Sequence, residues 1–194
     1  MSRWEPDARG RLEQAALELY SERGFDQTTV AEIARRAGLT ERTYFRHFAD
    51  KREVLFWGQG ILHELLVGAV AAAPESVPPI DAVGAALEAV GESMQQRRAA
   101  AMLRQPVIEA NPALRERELA KMATLGSALA DALHARGVPE PAASLAAHAG
   151  MAVFRVTFAR WIDPANEHSL RQLMRDSLDE LKAVTAGKLS DPVT

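Results

Sequence analysis

The sequence predicts an all-α protein: an N-terminal helix-turn-helix domain of three helices, then a longer helical domain, about nine helices in all. Three observations predict it. Where apolar residues show a period it is that of a helix, and no stretch of any length alternates as a strand would. Helix start and stop residues recur at helical lengths, with Thr29, Thr40 and Asn111-Pro112 as starts and Gly38 and Gly137 as stops. Prolines at 74, 78 and 79, and again at 139 and 141, mark connectors. A chain of 194 residues holds one or two domains with a real core, and the boundary is placed between 1–51 and 52–194.

Helix one starts after Asp7, with Leu12, Ala16, Leu19 and Tyr20 inward and Phe25 closing the small bundle; Gly10 weakens its first turn. Thr29 followed by Glu32 is a capping box, so helix two begins at Val30. Val30, Ile33, Ala34 and Ala37 give it one apolar face, and Gly38 supplies the left-handed conformation that ends it. Leu39 can plug the corner, and Thr40 caps helix three, about Glu41 to Phe48. Two short helices joined through Gly-Leu-Thr form a helix-turn-helix pattern.

Tyr44 and Phe48 lie four apart and can face inward, which leaves Arg42, Thr43, Phe45, Arg46 and His47 outward near a helix N-terminus. Arginine suits guanine edges, threonine suits bases or a thymine methyl, and histidine and lysine suit phosphate. Lys51 follows Asp50, which can cap the next helix, and sits beside the DNA backbone. The chemistry of this segment is that of a sequence-specific reader of double-stranded DNA.

Residues 11–57 resemble the DNA-binding domain of the TetR family of bacterial repressors, in Arg23-Gly24-Phe25, in Thr28-Thr29-Val30 with Ile33, Ala34, Ala37 and Gly38, and in Thr40, Thr43, His47, Phe48 and Lys51. The resemblance implies that Thr40, Arg42, Thr43, Phe45, His47 and Lys51 contact DNA, with Thr28 at a frequent backbone contact of helix two. The family commonly has tyrosine where this chain has Phe45. Here the hydroxyl sits one residue earlier, so Tyr44 joins the candidate set, facing either core or phosphate, and Arg46 joins it as an outward charge.

The net charge of −3 argues weakly against nucleic acid, but its distribution is uneven. Residues 35–52 carry Arg35, Arg36, Arg42, Arg46, Lys51 and Arg52 against Glu41 and Asp50, net +4. Binding is therefore expected to weaken with salt. The absence of cysteine excludes disulfides and thiolate metal sites. The N-terminus lacks the apolar stretch of a signal peptide and no run is read as long enough to span a bilayer, so a cytoplasmic protein without membrane contact is expected. The histidines at 47, 63, 134, 148 and 168 show no metal-ligand spacing, and neither a glycine-rich phosphate loop nor a nucleophile elbow is present. The reading is of a non-enzyme without cofactor or metal.

The fourth helix is expected from Arg52 to about Ala72, then Asp81 to Gln96, a segment Arg98 to Ala110 interrupted at Pro106, and a helix from Asn111-Pro112 to about Arg136. Glu140 to Ile162 and Glu167 to Ala186 follow, and the tail after Gly187 is expected to fray. The resemblance implies that the last two helices pair with those of a second subunit. Ala146, Ala147, Ala149, Gly150 and Val153 on one, and Leu170, Leu173, Met174, Leu178 and Leu181 on the other, are the candidates for that homodimer contact.

The resemblance also implies an effector cavity among the middle helices, with Trp57, Leu62, Met94, Met102, Val107, Met122, Leu125, Met151, Phe154 and Phe158 as candidate lining and Arg104 or Arg155 as polar anchors. Methionines suit an adaptable apolar wall, and a buried Arg155 would need an anion. His148 reads as a core or pocket histidine.

The expected function is repression from a palindromic operator, relieved by an unidentified apolar or amphipathic small molecule. A helical binding protein with a degenerate DNA head, or an activator, are the alternatives. The recognition segment is similar to actinobacterial-type regulators, some tied to redox-cofactor or acyl-thioester signals, but it does not report a ligand chemistry, and none is assigned.

Overall fold

The computed structural model describes residues 7–188, which form helices and turns with no strand among them. The helices are α1 (Ala8–Arg23), α2 (Val30–Arg36), α3 (Glu41–His47), α4 (Gln59–Ala72), α5 (Pro79–Met94), α6 (Arg98–Ala110), α7 (Pro112–Ala135), α8 (Ala142–Trp161) and α9 (Leu170–Thr185). They fall into two compact units: one runs to Gln59 and takes in Ala99–Leu119, and the other holds Gly60–Arg98 and the chain from Ala120 onward.

Local chemistry accounts for the bounds of the first three helices. The Asp7 carboxylate accepts the Gly10 amide at 2.8 Å to open α1. Thr29 and Glu32 exchange side-chain and backbone bonds at the start of α2, the Glu32 carboxylate taking the Thr29 amide at 2.9 Å. Gly24 and Gly38 end α1 and α2 at φ 85° and 67°, a region that side chains with a Cβ rarely enter. The core they enclose holds Leu12, Ala16, Leu19 and Tyr20 of α1, Ile33 of α2, and Tyr44 and Phe48 at α3, none more than 2% exposed.

The expected continuous helix from Arg52 is broken. A single 3-10 turn, Glu53–Leu55, adds Val54, Leu55 and Phe56 to the core, and α4 starts only at Gln59. Gly58 and Gly60 lie at the break, where their backbone entropy disfavours helix.

The first unit is completed from far along the chain. α6 supplies Val107 and Ile108 to the same core, and α7 supplies Leu114. α6 runs unbroken through Pro106, contrary to the expected interruption. Proline forfeits one backbone bond, and the two buried residues that follow it hold the helix to the core. Arg104 donates to the Leu55 carbonyl at 2.6 Å and to Glu118 at 2.8 Å, and its guanidinium lies 5.1 Å from the Phe56 ring. Arg117 pairs with Glu53 and lies 5.9 Å from the same ring.

In the second unit α5, α8 and α9 pack against one another. Glycines set the closeness of that packing. A Cβ on Gly150 would lie 2.3 Å from a Val83 methyl, and one on Gly91 would lie 2.8 Å from the Arg171 backbone. Glu88 on α5 receives both Arg171 and Arg175 of α9, and Asp81 receives Lys182 at 2.6 Å. α9 starts at Leu170 and not at Glu167, because Ser169 is its cap and accepts the Gln172 amide at 3.2 Å. Arg98 ties the preceding turn, donating to the carbonyls of Trp161, Asp163 and Asn166 at 2.7–2.9 Å.

Two segments of 20 residues, Glu53–Ala72 and Ala142–Trp161, contain 18-residue stretches with mean hydropathies of 1.5 and 1.3 and are long and apolar enough to cross a bilayer by those measures, which corrects the expectation of none. The second of these is α8, whose apolar content is spent partly on α5 and α9. The expected frayed tail lies largely outside the described residues.

Candidate nucleic-acid interface

α3 is held at both ends. Its Thr40 hydroxyl accepts the Thr43 amide at 3.2 Å, with the two hydroxyl oxygens 3.0 Å apart. Its inner face is anchored by Tyr44 and Phe48, whose ring centroids are 5.2 Å apart in the core. The remaining face presents exposed Thr40, Arg42, Phe45 and Arg46 with half-buried Thr43 and His47. Six side chains from one short helix and its cap are therefore left at least partly exposed.

Tyr44, open between core and phosphate in the sequence, faces the core, and the expected contacts at Thr28 and Lys51 are corrected. Tyr44 has no exposed surface and its hydroxyl donates to the Asp50 carbonyl at 3.2 Å, so it braces the helix from behind. Burial, reinforced by the nearby Asp50 and Glu53 carboxylates, raises its pKa and keeps the phenol protonated. Thr28 is 1% exposed and gives its hydroxyl to the Gly24 carbonyl at 2.9 Å. Lys51 turns inward: its ammonium reaches the carbonyls of Phe25, Thr28 and Asp26 at 3.0, 3.3 and 3.4 Å and lies 4.3 Å from the Phe25 ring. An ammonium has three protons to donate, and these three carbonyls accept them. Lys51 fastens the loop between α1 and α2, and its own carbonyl accepts the Tyr20 hydroxyl at 2.6 Å.

The basic patch is correspondingly narrower than its charge count. Arg36 pairs with Glu22 at 2.9 Å and Glu18 at 3.3 Å, both on α1 and outside the segment counted. Arg52 pairs with Asp50 at 2.7 Å. Arg35, Arg42 and Arg46 stay exposed. Partial burial, then the charges of Arg46 and Arg9, lower the pKa of His47, and its Nε2 is buried without a hydrogen-bond partner. The lowered pKa disfavours the charged form of the imidazole.

The candidate ligand residues are divided between the two units. Trp57, Met102, Arg104 and Val107 belong to the first unit, where Trp57 and Val107 pack on its core and Arg104 is committed to Leu55 and Glu118. Of those in the second unit, Phe154 is buried and stacks on Phe158 with centroids 5.9 Å apart, and Leu125 is buried. Leu62, Met94, Met122 and Met151 are half-buried. Arg155 is exposed, so it is not a buried anchor, and His148 is exposed with Nδ1 2.7 Å from the Ser144 carbonyl. The helical period puts both on a face of α8 that α5 and α9 do not cover.

The structure has an open depression of about 380 Å³ at the turn between α8 and α9, lined by Arg160, Asp163, Ala165, Asn166, Glu167 and His168, none of them foreseen. Among the described residues no group of three or more His, Asp or Glu could hold a metal ion.

The candidate dimer residues divide as well. Ala147, Gly150, Val153, Leu170, Leu173, Met174 and Leu178 are buried within the chain, so they do not lie on its surface. Ala146, Ala149 and Leu181 are half-exposed. The uncovered apolar stripe of α8 is instead Leu145 and Val156, 68% and 54% exposed, with Ala152 and Ala159 between and beyond them.

Known proteins share both parts of this architecture. The family described as bacterial regulatory proteins, tetR family, matches residues 13–56, and the family described as the MftR C-terminal domain matches residues 77–186, more than half of the chain. The chain belongs to the TetR family of transcriptional regulators. That is a family of regulators and not of enzymes.

The chain is 37% identical over 82 residues to the HTH-type transcriptional regulator TcmR of Streptomyces glaucescens, covering 42% of this chain and 36% of that protein. It spans between 26% and 36% of the length of the curated relatives it matches. The TetR family regulator PfmR of Thermus thermophilus is similar in structure, with 25% identity, a TM-score of 0.53 and coverage of 88% of this chain and 96% of that one. The fatty acid degradation regulator FadR of Bacillus halodurans shares the fold at 15% identity, with a TM-score of 0.63 and coverage of 92% and 96%.

Proposed function

We propose that this TetR-family chain is a homodimeric, sequence-specific transcriptional repressor that a small molecule releases from a palindromic operator. The observation that carries the DNA-reading part is the surface of α3, where Arg42, Thr43, Phe45, Arg46 and His47 stand together on a helix backed by buried Tyr44 and Phe48. Guanidinium and hydroxyl groups on a short rigid helix have the chemistry needed to read base edges in the major groove.

One such helix binds weakly, and two subunits matched to two half-sites raise affinity and impose a palindrome. The exposed stripe of Leu145, Ala152, Val156 and Ala159 supports pairing through α8, with Ala149 alongside. The effector is apolar or amphipathic on this reading, and Phe154 and Phe158 are its first candidates for contact. It releases DNA by binding the DNA-incompetent conformation more tightly than the competent one. Localisation in the cytoplasm follows from that function.

The test is the double substitution Thr43→Ala with His47→Ala. It is expected to abolish binding to an operator recovered from random duplex DNA while leaving oligomeric state and melting temperature close to those of the parent. A selection that enriches no sequence would point instead to a helical binding protein with a degenerate head, and loss of the fold in the variant would remove these side chains from the surface assigned to them.

A further inference from the structure

Phe45 is an aromatic ring left in water on the proposed reading surface. It is 54% exposed, whereas Tyr44 and Phe48 beside it are exposed by no more than 2%. A lone exposed apolar residue is ordinary on a protein surface, but this one is presented in a defined way. Its ring stands edge-on to Tyr44, with centroids 5.7 Å apart and planes at 81°. Tyr44 is fixed in turn by its hydroxyl on the Asp50 carbonyl. Arg42 and Arg46, both exposed, are three residues before it and one after.

The chemistry of a phenyl ring narrows what it can recognise. It has no polar atom, so it can neither donate to a phosphate nor pair with a base nitrogen or oxygen. Against a base edge its main contribution is to remove apolar surface from water. On the base edges of the major groove the apolar group on offer is the C5-methyl of thymine. Resting on the DNA-binding reading proposed above, we infer that Phe45 is a specificity-determining residue that selects thymine in each half-site by packing on that methyl. The arginines on either side supply the polar contacts and the ring supplies the discrimination they lack.

The experiment uses the full chain and an operator selected from random duplex DNA. Each thymine is replaced in turn by deoxyuridine, which removes the methyl and leaves base pairing intact, and Kd is measured by fluorescence anisotropy. One position per half-site is expected to lose about four-fold in affinity, and the symmetric pair of replacements about fifteen-fold, the scale of one buried methyl per subunit. Phe45→Ala, whose ring is exposed and whose fold is checked by melting, is expected to bind the thymine and deoxyuridine forms equally. The inference is overturned if no thymine responds to loss of its methyl, or if the response persists in Phe45→Ala. A uniform weakening by Phe45→Ala with no methyl dependence would place the ring against sugar and overturn it as well. A selection that enriches no site fails at the earlier step, and so marks failure of the DNA-binding reading itself.

Discussion

Replacing Lys51 by methionine separates two roles that its ammonium could play. In the structure the group donates to three loop carbonyls, of which only the Phe25 bond, at 3.0 Å, lies within ordinary hydrogen-bond length; the others are 3.3 and 3.4 Å. A hydrogen bond from a charged group contributes roughly 1.5–3 kcal/mol. The contact with the Phe25 ring adds roughly 0.5–1 kcal/mol. Methionine keeps the stem, and water can reach carbonyls that are only part-buried, so the expected loss is about 2 kcal/mol. For a chain of this size that is a fall of about 4–8 °C in Tm, read by thermal and urea unfolding.

The second measurement is operator affinity against salt. A phosphate neutralised by Lys51 in each subunit would contribute about 1.8 to the log-log slope of a dimer. An inward Lys51 contributes nothing to it, so the slope should be unchanged while stability falls. Unchanged stability with a slope reduced by about 1.8 would refute the inward assignment.

Gly91→Ala is expected to destabilise by about 1–3 kcal/mol, because the added Cβ meets the Arg171 backbone, which cannot rotate away. Gly68→Ala, where nothing lies within 4 Å, is its control and should instead stabilise α4 by up to about 1 kcal/mol. For pH, hydrogen bonds from Arg175 and then Arg171 hold the Glu88 carboxyl below the usual carboxylate range. A depressed folded-state pKa contributes stability that is present above the unfolded value and lost as pH falls through the folded one. The difference in urea midpoint between the parent and Glu88→Gln should therefore be full above about pH 5 and close as pH drops towards 3; a difference independent of pH would show that Glu88 acts through packing alone.

Much of the helix-turn-helix was legible in the sequence because its determinants are local. Thr29 with Glu32, Thr40 with Thr43, and Gly38 at φ 67° each act within about one helical turn, so residue order alone displays them. The same reading left Tyr44 open and set Lys51 at the DNA backbone, whereas the structure turns it inward. Whether a phenol points to core or solvent, and whether an ammonium faces phosphate or carbonyl, depends on groups that the fold brings from elsewhere. Lys51 finds its acceptors 23 to 26 residues back. Arg36 is neutralised from 14 and 18 residues away, which no local charge count registers.

The later helices divide in the same way. Their apolar periodicity announced α8 and α9 but not which partner would cover them. The leucine stripe of α9 was available to a second subunit or to the chain itself. α5 took it, because Gly84 and Gly91 let α9 approach closely and Glu88 draws in two of its arginines. α6 likewise joined the core of the first unit, carried there by Val107 and Ile108 despite Pro106.

What the sequence determined by itself was the helical class, the caps and turn of the helix-turn-helix, and the kinds of side chain available to read DNA, since each depends on neighbours within a few residues. Tertiary structure decided which of those side chains remain at the surface and which apolar stripe is left uncovered, because burial and charge pairing are properties of residues distant in the chain and close in space.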